Sequence, residues 1–173
     1  VFDRDDPVAS DTVFLTASVS KPVTVSAAML LVERGKIGLD QPACEILPAF
    51  GNRGKGKILV RHLMTHTSGL PDMLPDNEQL RRDHQPLGEF VRRMCELELL
   101  FEPGTQISYQ SCGTAILGAI VEAIVGEPLP AFLRRELFEP LSMHSTSLGV
   151  RDDLIPRIAH VNVGTDGVDS DWG

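Results

Sequence analysis

Ser18-Val19-Ser20-Lys21, running into Pro22-Val23-Thr24-Val25-Ser26-Ala27-Ala28-Met29-Leu30-Leu31-Val32-Glu33, is the stretch from which the rest of the chain is read. It follows a short apolar lead-in, residues 12–17, that reads as extended. The pattern predicts a helix over 18–34, with Val25, Ala28, Met29 and Val32 on one stripe. Pro22 falls in the first turn, where a missing N–H costs little, and Gly35 stands where a helix would stop. Residues i and i+3 share a helix face, so the amine of Lys21 is expected beside the hydroxyl of Ser18. A serine hydroxyl is a weak nucleophile until a base accepts its proton, and a neighbouring lysine can be that base.

Around this stretch the chain reads as mostly α. Residues 58–66, 87–98, 113–125 and 129–138 carry helical spacing; the clearest face is Ile116, Ile120, Ala123 and Ile124, and Gly126 and Pro128 end it. Residues 36–50 read as loop with one helical turn, 51–57 as a polar loop, 71–85 as irregular, and 164–173 as frayed. Strand patterns are nearly absent. A chain of 173 residues reads as a single domain over 1–173.

Composition narrows the function classes. The net charge of −8 argues against a nucleic-acid partner and against an anionic membrane surface. The short basic stretches, including Lys55-Gly56-Lys57, read as solvated faces. No stretch reaches the ~20 apolar residues of a membrane span. Cys44, Cys95 and Cys112 are odd in number and widely spaced, so they read as buried free thiols rather than a disulfide framework or a zinc site.

Further segments converge on one chemistry. Tyr109, the only tyrosine, follows Pro103-Gly104-Thr105 and precedes the strongest helix. The S-x-x-K pattern at Ser18 and Lys21 belongs to serine β-lactamases and penicillin-binding proteins. Tyr109-Gln110-Ser111, with the glycines and apolar residues after it, resembles the Y-x-N region of class C β-lactamases and their esterase and D-Ala-D-Ala peptidase relatives. Leu63-Met64-Thr65-His66-Thr67-Ser68-Gly69-Leu70 is similar to that family's L-L-x-H-T-S-G-L segment, and Phe138-Glu139-Pro140-Leu141-Ser142-Met143 to its P-L-G-M segment. The matches follow the family's order and cover roughly residues 10–150.

The resemblance implies roles. Ser18 is the nucleophile, Lys21 its proton acceptor or electrostatic partner, and Tyr109 a second proton-handling group. At pH 7 an unperturbed lysine (pKa ~10.4) or tyrosine (~10) is protonated, so burial, neighbouring charge or a helix N-terminus must act on the pair. Ser111 stands where an asparagine is expected and is the candidate substrate-binding residue; its hydroxyl offers less than an amide's two donors and carbonyl. Ser142 replaces the glycine of P-L-G-M, which reads as local packing. The family's late K-T-G or H-x-G has no match, and His160-Val161-Asn162-Val163-Gly164 is too spread out to serve. The resemblance therefore implies the helical part of an α+β fold with most of its antiparallel sheet missing, truncated at both ends.

The expected function is a serine hydrolase forming an acyl-enzyme on a small-molecule ester, β-lactam or peptide. Ester is favoured because Ser111 lacks the amide that would grip a β-lactam, and the 173 residues alone are expected to be weak or inactive. No cofactor and no metal are implied. The alternatives are a non-catalytic binding or scaffolding relative of the same fold, and a helical piece that self-associates or pairs with a complementary segment. Two decoys carry less. His62 and His66 lie at i and i+4, but Leu63 occupies the glutamate position of H-E-x-x-H, so His66 reads as a loop-holding residue. Gly51 to Lys57 spells G-x-x-x-x-G-K, but Ile58 takes the Ser/Thr position. Cys112 reads as packing.

Overall fold

The computed structural model describes residues 8–159, so the His160–Gly164 stretch and the tail at 164–173 lie outside the described residues. The lead-in is anchored at Val13, which forms a parallel bridge with Ile158, with Val13 N–H donating to the Arg157 carbonyl and Ala159 N–H to the Val13 carbonyl, both at 2.8 Å. It is not extended to its end, since Thr16 is helical in backbone (φ −92°, ψ −1°) and Ala17 has φ +45°. A 3₁₀ turn, Ala17–Val19, then leads into α1, Ser20–Glu33. Ser18 thus sits in the turn before the helix, and Lys21 in the helix's first turn.

The fully buried positions of α1 are Thr24, Ala27, Ala28 and Leu31; of the expected stripe Ala28 is among them, Val25 and Val32 are partly buried against the core, and Met29 is 43% exposed. The reason is visible in the sequence: α1 is apolar almost all round, so periodicity alone does not choose a face. Lys36 N–H bonds the Leu31 carbonyl across Gly35, whose φ of +64° provides the left-handed stop.

Two 3₁₀ turns, Ala43–Glu45 and Pro48–Gly51, replace the single turn expected over 36–50, and a third, Lys55–Lys57, interrupts the polar loop. α2 is Val60–Met64. α3, Asn77–Arg82, occupies a segment read as irregular. Its six residues are polar except for Leu80, which alone is buried, so the segment has no periodic signal and is helical because that leucine docks. α4 is Leu87–Met94, α5 is Ser111–Val125, and α6, Leu129–Leu133, continues into a π-helical turn, Arg134–Phe138.

α5 is the hub. It packs against α1, α2, α4 and α6, and Cys112, Ile116, Leu117, Ile120 and Val121 are all buried. Ala123 is exposed, a correction to the predicted face: in a helix surrounded on several sides, burial follows the neighbours rather than one stripe. The second bridge, Pro42 with Leu59, is antiparallel. The described residues thus form helices around one apolar core with only isolated strand pairing. No single helix among them is long and apolar enough to cross a membrane.

Candidate active site

Three side chains from two distant parts of the chain meet at one oxygen. Lys21 Nζ donates to Ser18 Oγ at 3.1 Å, and Tyr109 OH donates to the same oxygen at 2.6 Å across 91 positions of sequence. The Lys21 ammonium also lies over the Tyr109 ring, 4.7 Å from its centroid. The first contact is local: one helical turn separates the residues. The second depends on how the Tyr109 segment is held.

That segment is clamped by residues 62–72. Gln110 has an extended backbone, φ −149° and ψ 124°, so Tyr109 and Ser111 project to one side and Gln110 to the other. The Gln110 side chain is fully buried: Ser68 Oγ donates to its Oε1 at 2.5 Å and its Nε2 donates to the His62 carbonyl at 3.4 Å. Gly113 makes room for it, since a Cβ there would fall 2.8 Å from Gln110 Cδ. His66 accepts the Gln110 N–H on Nδ1 at 3.3 Å, its carbonyl accepts the Ser108 N–H at 2.9 Å, and its ring packs on Tyr109 at 4.9 Å between centroids. Gly69, at φ +82°, lies so close to the Phe101 carbonyl that a Cβ would overlap that oxygen at 2.2 Å. The His66-Thr67-Ser68-Gly69 stretch is therefore the seat on which Tyr109 is mounted.

Asp72 completes the mount. Its Oδ1 accepts the Ser111 N–H at 2.7 Å and its carbonyl accepts the N–H groups of Ser111 and Cys112, which caps the start of α5 from another part of the chain. Asp72, Ser68 and Gln110 were not legible as site residues. Their partners are 39 to 48 positions away, and a cap supplied by a distant loop leaves no local signature.

The site is open. Ser18 is exposed, Lys21 only partly buried, and Tyr109 is 48% exposed. The burial expected of the Lys21 amine is not there: the residue is only partly buried, with its amine in contact with Ser18 and over the Tyr109 ring. The Tyr109 phenol is held below its ordinary value, chiefly by its hydrogen bond with Lys21 and then by Ser18. Ala17, immediately before Ser18, has φ +45°, and His66 has φ +58°. Left-handed non-glycine residues therefore stand on both sides of the constellation.

The decoys resolve into structural roles. His62 Nδ1 accepts the Leu59 N–H at 3.2 Å and His66 Nδ1 the Gln110 N–H, so each imidazole is committed to a backbone amide. Lys55 in the G-x-x-x-x-G-K stretch is 0% exposed and donates to the Leu97 carbonyl at 2.6 Å, so it is no solvated face. Of the three thiols, Cys95 and Cys112 are buried and Cys44 partly so; burial, assisted by Asp72, pushes Cys112 up to about 12. It is a packing residue, not a nucleophile. Ser142 has φ +57°, so the glycine it replaces is a matter of backbone conformation rather than packing.

The family model described as Beta-lactamase matches residues 2–172. The chain belongs to the β-lactamase family. Among its relatives, this β-lactamase-family chain is 35% identical to esterase EstB of Burkholderia gladioli over 152 residues, 79% of this chain and 38% of that protein. It is 34% identical to penicillin-binding protein 4 of Amycolatopsis lactamdurans over 166 residues, 94% of this chain and 43% of that protein. The solved structure of EstCE1, described as a hydrolase with promiscuous acyltransferase activity, superposes with a TM-score of 0.76 at 30% identity, covering 89% of this chain and 44% of that one. The chain spans about two fifths of the length of the curated relatives it matches. Its helices correspond to the helical portion of the β-lactamase and transpeptidase type of fold.

Proposed function

We propose that this chain carries the acyl-transfer centre of a serine hydrolase acting on esters, with Ser18 as nucleophile, Tyr109 as proton carrier and Lys21 as the charge that makes Tyr109 acidic. The observation that carries the reading is the convergence of the Lys21 ammonium and the Tyr109 phenol on Ser18 Oγ. Tyr109, as phenolate, takes the Ser18 proton while Oγ bonds to the ester carbonyl carbon. The same proton passes from Tyr109 to the departing alkoxide as the C–O bond breaks, leaving an acyl-serine and a free alcohol. Water then attacks, Tyr109 removes its proton, and that proton returns to Ser18 Oγ as the acid departs. Lys21 stays cationic throughout and stabilises the phenolate and the developing oxyanion.

Ester is favoured over β-lactam or peptide because Ser111 presents one hydroxyl where the pattern has an amide. The 173 residues alone are expected to turn over slowly, because Ser18 and Tyr109 are open to water, which weakens every charge interaction in the centre. The test is covalent labelling by a fluorophosphonate, with the modified residue located by mass spectrometry, beside hydrolysis of p-nitrophenyl acetate by the chain and by the full open reading frame that encodes it. Labelling at Ser18, lost in Ser18→Ala, supports the reading. Labelling elsewhere, or unchanged in Ser18→Ala, overturns it; equal turnover by the two proteins overturns the expectation for the chain alone.

A further inference from the structure

A cavity of about 320 Å³ lies among α3, α4 and α5, at the lower end of the range for small-molecule sites. Met73, Leu87, Phe90, Met94, Cys112 and Ala115 make most of its wall, and Asp72, Ser111, Asn77 and Arg81 complete it. Ser111 is two residues past Tyr109 on extended backbone, about 7 Å along the chain and on the same side. Asp72, on the same wall, holds the Ser111 N–H through both its Oδ1 and its carbonyl, so the cavity is joined to the segment that carries Tyr109. Nothing in the serine, lysine and tyrosine chemistry uses this cavity.

Resting on the esterase reading, we propose that this cavity is the subsite for the acyl part of the substrate and that it selects an aliphatic chain. Most of the wall is apolar and adaptable, with two methionines and an aromatic ring, and Met73 and Leu87 are half-exposed. The polar members of the wall are at its edge, where Asp72 Oδ1 accepts the Ser111 N–H and Arg81 and Asn77 also line the cavity. A methylene is close in size to a water, whose share of liquid volume is about 30 Å³, so the cavity holds roughly ten such groups at most. The acyl group is the part that fits here, because it stays bonded to Ser18 while the alcohol must leave past Tyr109, on the exposed side.

The experiment uses two series of phosphonofluoridates, one lengthened on the phosphorus-bound alkyl group, which stands for the acyl chain, and one on the alkoxy group, which stands for the alcohol. Labelling forms a Ser18 Oγ–P bond, expels fluoride and passes the serine proton to Tyr109. The labelling rate should rise about fourfold per methylene from ethyl to hexyl along the alkyl series, the worth of one buried methylene, and stay flat along the alkoxy series. Ala115→Leu, which fills the cavity, should flatten the alkyl series. Leu87→Ala, at a half-exposed position that tolerates truncation, should move its plateau to longer chains. A flat alkyl series with Ser18 still labelled overturns the subsite and leaves the serine chemistry standing; a slope along the alkoxy series instead overturns the acyl assignment.

If Ser18 is not labelled by any member, the esterase reading fails and the cavity is decided by binding. In protein carrying ¹³C-methyl methionine, 1-hexanol should shift the Met73 and Met94 methyl signals, leave Met29 and Met64 in place, and lose the effect in Ala115→Leu. Unmoved Met73 and Met94 signals would overturn the cavity as an aliphatic site; the expected shifts would uphold it apart from the serine.

Discussion

Lys21 and Lys55 are the same residue in opposite settings, and sequence reasoning assigned them the wrong way round. Lys21, expected to be buried, stands partly exposed at the start of α1 with its ammonium between a serine oxygen and a phenol ring. Lys55, expected on a solvated face, is sealed inside and bonded to the Leu97 carbonyl. The first arrangement keeps a charge where it can act on a reacting group. The second uses a charge to tie the 51–57 loop to the segment after α4, at a desolvation cost that lowers the lysine's pKa. Under the proposed function, the two lysines would divide the work: one charge acting by contact at the serine, the other acting on stability through burial.

The largest expected effect tests the first half of that division. Lys21→Ala should slow fluorophosphonate labelling of Ser18 by about 10²–10⁴-fold while shifting unfolding free energy by no more than ~0.5 kcal/mol. A thermal midpoint that falls along with the rate would merge the two lysines into one structural role. Tyr109→Phe should cost a similar factor. In the parent the labelling rate should climb with pH along a limb whose midpoint lies below 10.0, the ordinary value for the phenol. Removing the Lys21 ammonium should move the midpoint upward, because the phenolate loses its main stabiliser. A limb that stays put in Lys21→Ala breaks the assignment of Tyr109 as proton carrier.

Lys55→Ala should do the reverse of Lys21→Ala. It leaves a cavity and an unpaired carbonyl, so urea unfolding should show a loss of about 2–4 kcal/mol, while Ser18 labelling per folded molecule stays within about threefold. The pH dependence follows from the direction of the shift. Burial holds Lys55 below its ordinary 10.5 in the folded chain, so between that lowered value and 10.5 the unfolded chain binds more protons and stability rises with pH. Unfolding curves compared with those of Lys55→Met should show this rise only in the parent. The smallest expected effect is at Ser142, away from both lysines: Ser142→Gly should stabilise by about 0.5–1 kcal/mol by relieving a left-handed φ. No gain in thermal midpoint would mean the conformation is held by neighbours at no cost.

Much of the site was legible because part of it is local. Ser18 and Lys21 are one helical turn apart, and the helices at 87–94, 111–125 and 129–133 followed their apolar spacing to within a few residues. α3 was not legible, because a single docked leucine stabilises it. The stripes read for α1 and α5 failed only at Met29 and Ala123, because both helices are apolar nearly all round and the packing partners choose what is covered.

The sequence by itself determined the helical class, the family and the meeting of Ser18 with Lys21, since each rests on residue types and spacings within a turn or a short motif. Tertiary structure alone decided that Tyr109 reaches the same oxygen, that Ser68, Gln110 and Asp72 hold it there, that Lys55 rather than Lys21 is buried, and that a cavity opens beside Ser111. Those facts are contacts across tens of residues, set by how α5 is surrounded, and a linear pattern carries no term for what lies on the far side of a helix.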